Sequence, residues 1–424
     1  MTRASRRPTW DAPARLARTV RLLPVALALS LASCGGGAPA GPPTELTVVV
    51  NAPFSAAPWV ADAIERGTRL AAEEINADGG IETAGERYTL AVRTMDTGLS
   101  PQRAVENVRT AVADGVLAIV DEGTGVDASW EVARDADLPI GIVFQGGMGL
   151  VDHEARPNVF RIAPTDRGIA FRYAEYLVPK GLRIAFLHDD TGYGQEGAAA
   201  LRRAFECCPE AVEEDLTIPA DGDPAPQVLE AKRSGATALL VWARASTLVE
   251  VIRAARGGGW DVPIYAAQTG EDPLVRQQLA DRPAWVDGLV FASGRMTAEV
   301  GPDPFLGFWG RYERRFGAEE VGVTTSAGET VVAPPSLAMY AYDFVRVLAA
   351  AVEAAQGPEP ARVLEFLEQV DVKGANGDER GFNEKSHESV VDDDVYFAEY
   401  RDMVFVPVDD DPLSSTLDVI QQAR

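Results

Sequence analysis

Cysteine is scarce in this 424-residue chain, which holds only Cys34, Cys207 and Cys208. The last two are neighbours, and adjacent cysteines close only a strained eight-membered ring, so they cannot form an ordinary structural bridge with each other. They pair vicinally or stay as thiols, and a disulfide-stapled fold is excluded. Histidine is as rare: His153, His188 and His387 are scattered without metal-ligand spacing, so no metal site and no cofactor are expected. Positive charge is also short, with 39 Lys and Arg against 64 Asp and Glu and a formal net charge of −25. A chain this acidic repels nucleic acid and anionic lipid head groups, which excludes both as partners. No Ser-His-Asp, His-rich metal or phosphate-loop pattern is present, so an enzyme is not expected. The one constellation of interest, His188 beside Asp189 and Asp190, closes a strand and reads as structural.

What the chain does have begins at its N-terminus. Arg3, Arg6, Arg7, Arg15, Arg18 and Arg21 precede an apolar run from Leu22 to Ala32, well short of the roughly 20 residues that span a bilayer. Leu31-Ala32-Ser33-Cys34 then leads into three glycines. That order resembles the lipobox of bacterial lipoproteins, which implies cleavage before Cys34 and lipidation of its thiol. The expectation is a signal peptide over 1–33, a flexible Gly-Pro-Ala tether over 34–45, and an extracytoplasmic, membrane-anchored protein, periplasmic in a Gram-negative cell. A plain secretory signal that happens to contain a cysteine is the alternative. Removal of six arginines and one aspartate makes the mature charge −30. No second run is long enough to cross a membrane.

The remaining chain is too long for one ordinary core and suits two or three lobes. Leu46–Val50 (LTVVV) reads as a strand buried on both faces, and Ala61–Asn76 as an amphipathic helix ended by Gly79-Gly80. Tyr88–Met95, Val116–Val120 and Ile140–Phe144 are further strands, with helices between them. A second series opens near residue 165, with strands at Arg183–His188, Glu213–Ile218, Ala238–Trp242 and Val262–Ala267. This alternation predicts an α/β fold of two doubly wound parallel-sheet lobes. The expected division is 46–164 plus 293–375 for the first lobe and 165–292 plus 376–424 for the second.

Five segments, colinear over about 46–408, resemble one family. They are Gly67–Ile81 (GTRLAAEEINADGGI), Asp96–Ala104 (DTGLSPQRA), Phe160–Asp166 (FRIAPTD), His188–Gly194 (HDDTGYG) and Gly374–Phe382 (GANGDERGF). Together they are similar to type I periplasmic binding proteins of the branched-chain amino acid and amide class. The resemblance implies two lobes joined by three crossovers and a small-molecule solute trapped in the hinge cleft. It also implies an ABC permease in the membrane as partner; the alternative is a ligand-sensing receptor of the same fold acting in signalling. The solute classes implied are an amino acid, an amide or a small carboxylate.

Candidate contacts follow from strand ends and from the resemblance. Thr124, between two glycines and ahead of a helix, matches a family Ser that binds the ligand carboxylate, or it serves as a helix cap. Gln145 and Gly147 follow the next strand, where the family often has Ala and Thr; Gly147 departs from that pattern by offering backbone alone. Tyr193 opens the second series as an aromatic jaw, and Trp59 lies in the first strand-end loop, where the family often places an aromatic. Arg244 falls where an aromatic is common and would favour an anion, unless it pairs with a surface Glu. Gln268 falls where amino-acid binders tend to carry an acid for the ligand ammonium; Glu271, three residues on, is a substitute for that charge.

Overall fold

In the computed structural model the described residues are 43–219, 221–294, 303–317, 322–324, 330–332, 336–390 and 395–411. The expected signal peptide 1–33, Cys34 and most of the tether lie outside them.

The strand Thr44–Ala52 is wholly buried from Val48 to Ala52, as its unbroken apolar run requires of a central strand covered on both faces. It pairs in parallel with Arg87–Asp96 on one side and Ala118–Asp121 on the other. Ile140–Ile142 and Val159–Arg161 extend the sheet in parallel, and the short Ile81–Glu82 caps its other edge antiparallel. Five strands thus run in the order second, first, third, fourth, fifth. The second sheet repeats that order with Val212–Ile218, Ile184–Asp189, Ala238–Trp242, Ile264–Ala266 and Leu289–Gly294, all parallel. An antiparallel pair, Val395–Arg401 and Val404–Pro407, completes it. In both sheets the first strand is flanked by the second and third, which opens a crevice beyond its carboxyl end.

Helices cover both sheets. The first, Pro58–Ala77, starts with proline at its first turn and buries Val60, Ile64, Thr68 and Ala71. It crosses Ser336–Ala355 so closely that a Cβ on Gly67 would overlap the Ala338 carbonyl. Arg311 and Arg315, on the helix Asp303–Phe316, bind Glu74 and Glu73 of the same first helix. The chain therefore leaves the first sheet after Arg161, returns to its helices after Gly294, and re-enters the second sheet at Val395. These are the three passages between sheets.

Two boundaries differ from expectation. Ser293 and Gly294 belong to the second sheet. Residues 376–390, expected with the second lobe, contact first-sheet elements: Arg380 pairs with buried Asp343, His387 Nδ1 lies 3.0 Å from the Val159 carbonyl, and Arg161 binds Glu388 at 2.7 Å. Sequence proximity to the final strands had masked these long-range contacts. Among the described residues, no helix is long and apolar enough to cross a membrane.

Candidate functional site

A cavity of about 870 Å³ lies where the carboxyl ends of both sheets converge. The first four strands of the first sheet, and the first, third and fourth of the second, send their following loop or helix there. Pro53 and Trp59 follow the first strand of the first sheet, Leu99 and Pro101 the second, Glu122–Gly125 the third, and Phe144 and Gln145 the fourth. From the second sheet come Thr191, Tyr193 and Glu196 after its first strand, Arg244 and Ser246 after its third, and Thr269 and Glu271 after its fourth. Wall area from Ala57, Phe144, Leu150, Tyr193 and Leu274 is apolar or aromatic, suited to the body of a small solute.

The first-sheet wall is built on buried polar groups. Asn51 donates to Asp121 Oδ2 at 2.7 Å and accepts from Asn107 at 2.9 Å, which locks the first strand to the third and to the helix Pro101–Ala113. Asp121 Oδ1 accepts the Gly123 N–H at 2.7 Å, and Glu122 Oε1 accepts the Thr124 N–H at 3.1 Å. Gln145 Nε2 donates to Thr124 Oγ1 at 3.0 Å. Gly123 has φ +118° and Gly125 φ +86°; the latter precedes the helix Val126–Arg134, and that left-handed turn brings these amides back onto the strand-end carboxylates. Burial, reinforced by neighbouring Glu122, pushes the Asp121 carboxyl up to about 7. Burial raises Glu122 as well, with Thr124 and Gln145 pulling back.

The second-sheet wall rests on Asp189, which is fully buried at its strand end. Its carboxylate accepts the Arg244 N–H at 2.8 Å and the Thr191 N–H at 3.2 Å. The Arg244 guanidinium sits 3.6 Å from Asp189 and 3.4 Å from Asp221. Tyr193 stacks across the cleft on Phe144, with centroids 6.2 Å apart and planes 17° apart. Glu196, one turn further along the same helix, reaches the opposite wall: a Cβ on Gly147 would overlap its carboxylate. Burial raises the Glu196 carboxyl, and Asp127 adds to this while Arg161 opposes it. Asp166 is pushed up to about 7 by burial and by Glu196.

Of the residues expected at the site, Trp59, Thr124, Gln145, Tyr193 and Arg244 line the cavity. Trp59 does so from the first turn of a helix rather than from a loop. Gly147 and Gln268 are not among the lining residues. Gly147 lies behind Glu196, its carbonyl bound by Arg161 at 3.0 Å, and Gln268 is buried in a short 3₁₀ turn whose later residues Thr269 and Glu271 reach the cavity. Sequence reasoning missed Glu122, Phe144 and Glu196 as wall residues. Glu196 was legible in principle, since a residue three on from Tyr193 shares its helix face. His188 is buried against Thr217 and Asp215, consistent with a structural part. Among the described residues no group of three His, Cys, Asp or Glu is placed to hold a metal ion.

Residues 52–403 match the model of the periplasmic binding protein family, and the chain belongs to that family. Its fold is that of the type I members, a class of solute binders rather than catalysts working outside the cytoplasm. An amino acid binding protein of Pseudomonas aeruginosa is 25% identical over 344 residues, which are 77% of this chain and 81% of that protein. A periplasmic binding protein type 1 from Bordetella pertussis superposes with a TM-score of 0.74 at 19% identity, covering 86% of this chain and all of that one. The branched-chain amino acid binding protein LivJ of Streptococcus pneumoniae, solved with isoleucine, gives 0.70 at 20% identity over 85% of this chain and 98% of its own. A solute binding protein of Rhodopseudomonas palustris, solved with 3,4-dihydroxybenzoic acid, gives 0.67 at 16% identity over 84% and 93%.

Proposed function

We propose that this chain is the lipid-anchored receptor of an ABC importer, taking an amino acid, an amide or a small carboxylate into its hinge cleft and presenting it to a membrane permease. The observation that carries the reading is the cavity itself. It draws one wall from each of two like-ordered sheets, at the switch points where open α/β sheets bind ligands. In this reading the first lobe comprises 46–164 and the later helices, the second the remainder, and the crossover expected at 375/376 moves to beyond Val390. Trp59, Thr124, Gln145, Tyr193 and Arg244 face the solute, while Gly147 and Gln268 back the wall. Cys34 carries the lipid and the Gly-Pro segment is the leash.

The test is a melting screen of the purified protein against amino acids, amides, urea and short carboxylates. A bound solute stabilises by linkage, about 2.7 kcal/mol at a hundredfold excess over Kd, so a true solute raises Tm by several degrees. No shift with any solute class would overturn the receptor reading. Cys34→Ala should move the protein from the membrane fraction to the soluble extracytoplasmic one; unchanged fractionation would remove the anchor.

A further inference from the structure

We propose that Arg161 is a positioning residue for solute binding. It fastens the loop Gln145–Gly147, part of the cleft wall, to the segments from which the first and third passages between the sheets depart. Wall and hinge then move as one body. This rests on the receptor reading and adds to it the residue that couples the cleft to the hinge.

Arg161 ends the fifth strand of the first sheet, and the chain leaves for the second sheet just beyond it. Its backbone N–H donates to the His387 carbonyl at 2.8 Å, and its carbonyl accepts the Ser389 N–H at 3.0 Å. The start of the first passage thus lies alongside the segment that leads into the third, in a parallel bridge between Arg161 and Glu388. The side chain of the same residue reaches the cleft wall. Nε donates to Glu388 Oε2 at 2.7 Å, and Nη2 donates to the other oxygen of that carboxylate. Nη1 donates to the carbonyls of Gln145 and Gly147, both at 3.0 Å.

The two carbonyls lie 16 and 14 residues away in sequence and Glu388 lies 227 away, yet one planar guanidinium fixes all three relative to one another. It is buried, so leaving any of these bonds unmade costs the desolvation of that group. From Gln145 the link runs on to the cavity. The Gln145 side chain lines it and donates to Thr124 Oγ1 at 3.0 Å, and the Thr124 N–H is held in turn by Glu122. The charge of Arg161 also reaches the second sheet's helices: burial and neighbouring carboxylates raise the Asp166 and Glu196 carboxyls, and Arg161 opposes both. Lobes that close about a hinge pivot on the passages between them. A loop bonded to those passages keeps Gln145 and Thr124 in place as the lobes move.

The experiment is hydrogen exchange, read by mass spectrometry on the full-length unliganded protein and its Arg161→Met and Glu388→Gln variants, followed by the melting screen on each. Arg161→Met should speed exchange at least tenfold in peptides covering 144–150 and 386–390, and leave the central strands Val48–Val50 and Ala238–Trp242 unchanged. Glu388→Gln, which keeps both carbonyl bonds, should speed only the second peptide. The probes of the screen are the individual amino acids, amides, urea and short carboxylates. A compound that raises the wild-type Tm should raise that of Arg161→Met by about half as much, the mark of a tenfold loss of affinity at a hundredfold excess over the wild-type Kd. Glu388→Gln should keep most of the shift. A uniform rise in exchange across the first sheet, an unaltered 144–150 peptide, or equal Tm shifts in Arg161→Met and the wild type overturns the inference and leaves the receptor reading standing. If Arg161→Met does not fold, Arg161→Lys, which keeps the charge but not the fork, must show the same local pattern; a uniform or absent change there overturns the inference as well. A screen silent for the wild type overturns the receptor reading, and the solute role of Arg161 with it, while the exchange pattern still decides whether the loop is fastened to the passages.

Discussion

The third strands of the two sheets end in matched places and solve the same problem with opposite polarity. In the first sheet the third strand supplies the carboxylate, Asp121, and the first strand supplies the amide donor, Asn51. In the second sheet the first strand supplies the carboxylate, Asp189, and the loop after the third supplies the donor, the Arg244 N–H. Both arrangements tie the switch point shut from within, and both use backbone amides that an open strand end would offer to an anion. They differ in the partner charge. Asp121 faces a neutral amide and another carboxyl, so burial leaves it protonated near neutrality, whereas Asp189 lies against a guanidinium. The position of the carboxylate is interchangeable; what both sheets keep is a buried strand-end carboxylate that accepts an N–H from the neighbouring strand or its loop.

The comparison can be broken most forcefully through the packing behind each wall. Trp242 and Phe344 are fully buried, and each fills the space over a glycine, Gly197 and Gly141 respectively. Trp242→Ala and Phe344→Ala should each remove about 3–5 kcal/mol in denaturant unfolding. If the sheets are independent in stability, the two losses add; a shortfall from additivity would show coupling through the cleft.

The carboxylates come next. Asp189→Asn leaves the Arg244 guanidinium with a weaker partner and is expected to cost about 2–3 kcal/mol. Asp121→Asn is expected to cost no more than about 1 kcal/mol below about pH 6, because the carboxyl it replaces, pushed up to about 7, is mostly protonated there. Equal losses at the two sites would erase the distinction drawn between them.

The pH dependence sharpens the same point. Asp121 has its folded pKa raised from 3.8 to about 7 by burial and by Glu122. Between those values the unfolded chain binds fewer protons at this site than the folded one, so its contribution to stability is full below about 4 and declines as pH rises through 7. Asp166, raised likewise, adds to that slope. The Tm of the wild type should thus show a downward contribution between pH 5 and 7.5 that Asp121→Asn reduces, while Asp189→Asn leaves it in place. A slope unaltered by Asp121→Asn would refute the assignment.

Smallest of all are the exposed pairs. Arg315–Glu73 over the first sheet's helices and Arg253–Glu250 beside the second lie on the surface, each with both side chains more than a third exposed. Removing either arginine should change stability by about 0.2–1 kcal/mol at low salt and less at high salt. A larger effect in only one of them would make that surface more than a solvated face.

Much of the architecture was readable in advance. The unbroken apolar runs at Val48–Val50 and Ala238–Trp242, each followed by a loop and a helix, already require buried parallel strands, and their repetition requires two such sheets. Trp59, Thr124, Gln145, Tyr193 and Arg244 were reachable because strand ends mark the ligand side of any such sheet. Gly147 and Gln268 failed as wall residues for a local reason: backbone depth at a turn is not encoded in spacing. The assignment of 376–390 failed for a distant one, since Arg380 finds Asp343 and Glu388 finds Arg161 far away in sequence.

The sequence alone determined the order of strands and helices, the acidity and the sides of the sheets on which loops gather, because hydrophobic period, charge and turn residues act locally. Only the tertiary structure decided what those loops can bind. Thr124 and Arg244 meet partners that no local pattern announces: Gln145 donates to the Thr124 hydroxyl and Asp189 accepts the Arg244 N–H, from 21 and 55 residues away. A hydrogen-bond donor is available to a ligand only if nothing else in the folded chain has taken it, and that depends on three-dimensional proximity.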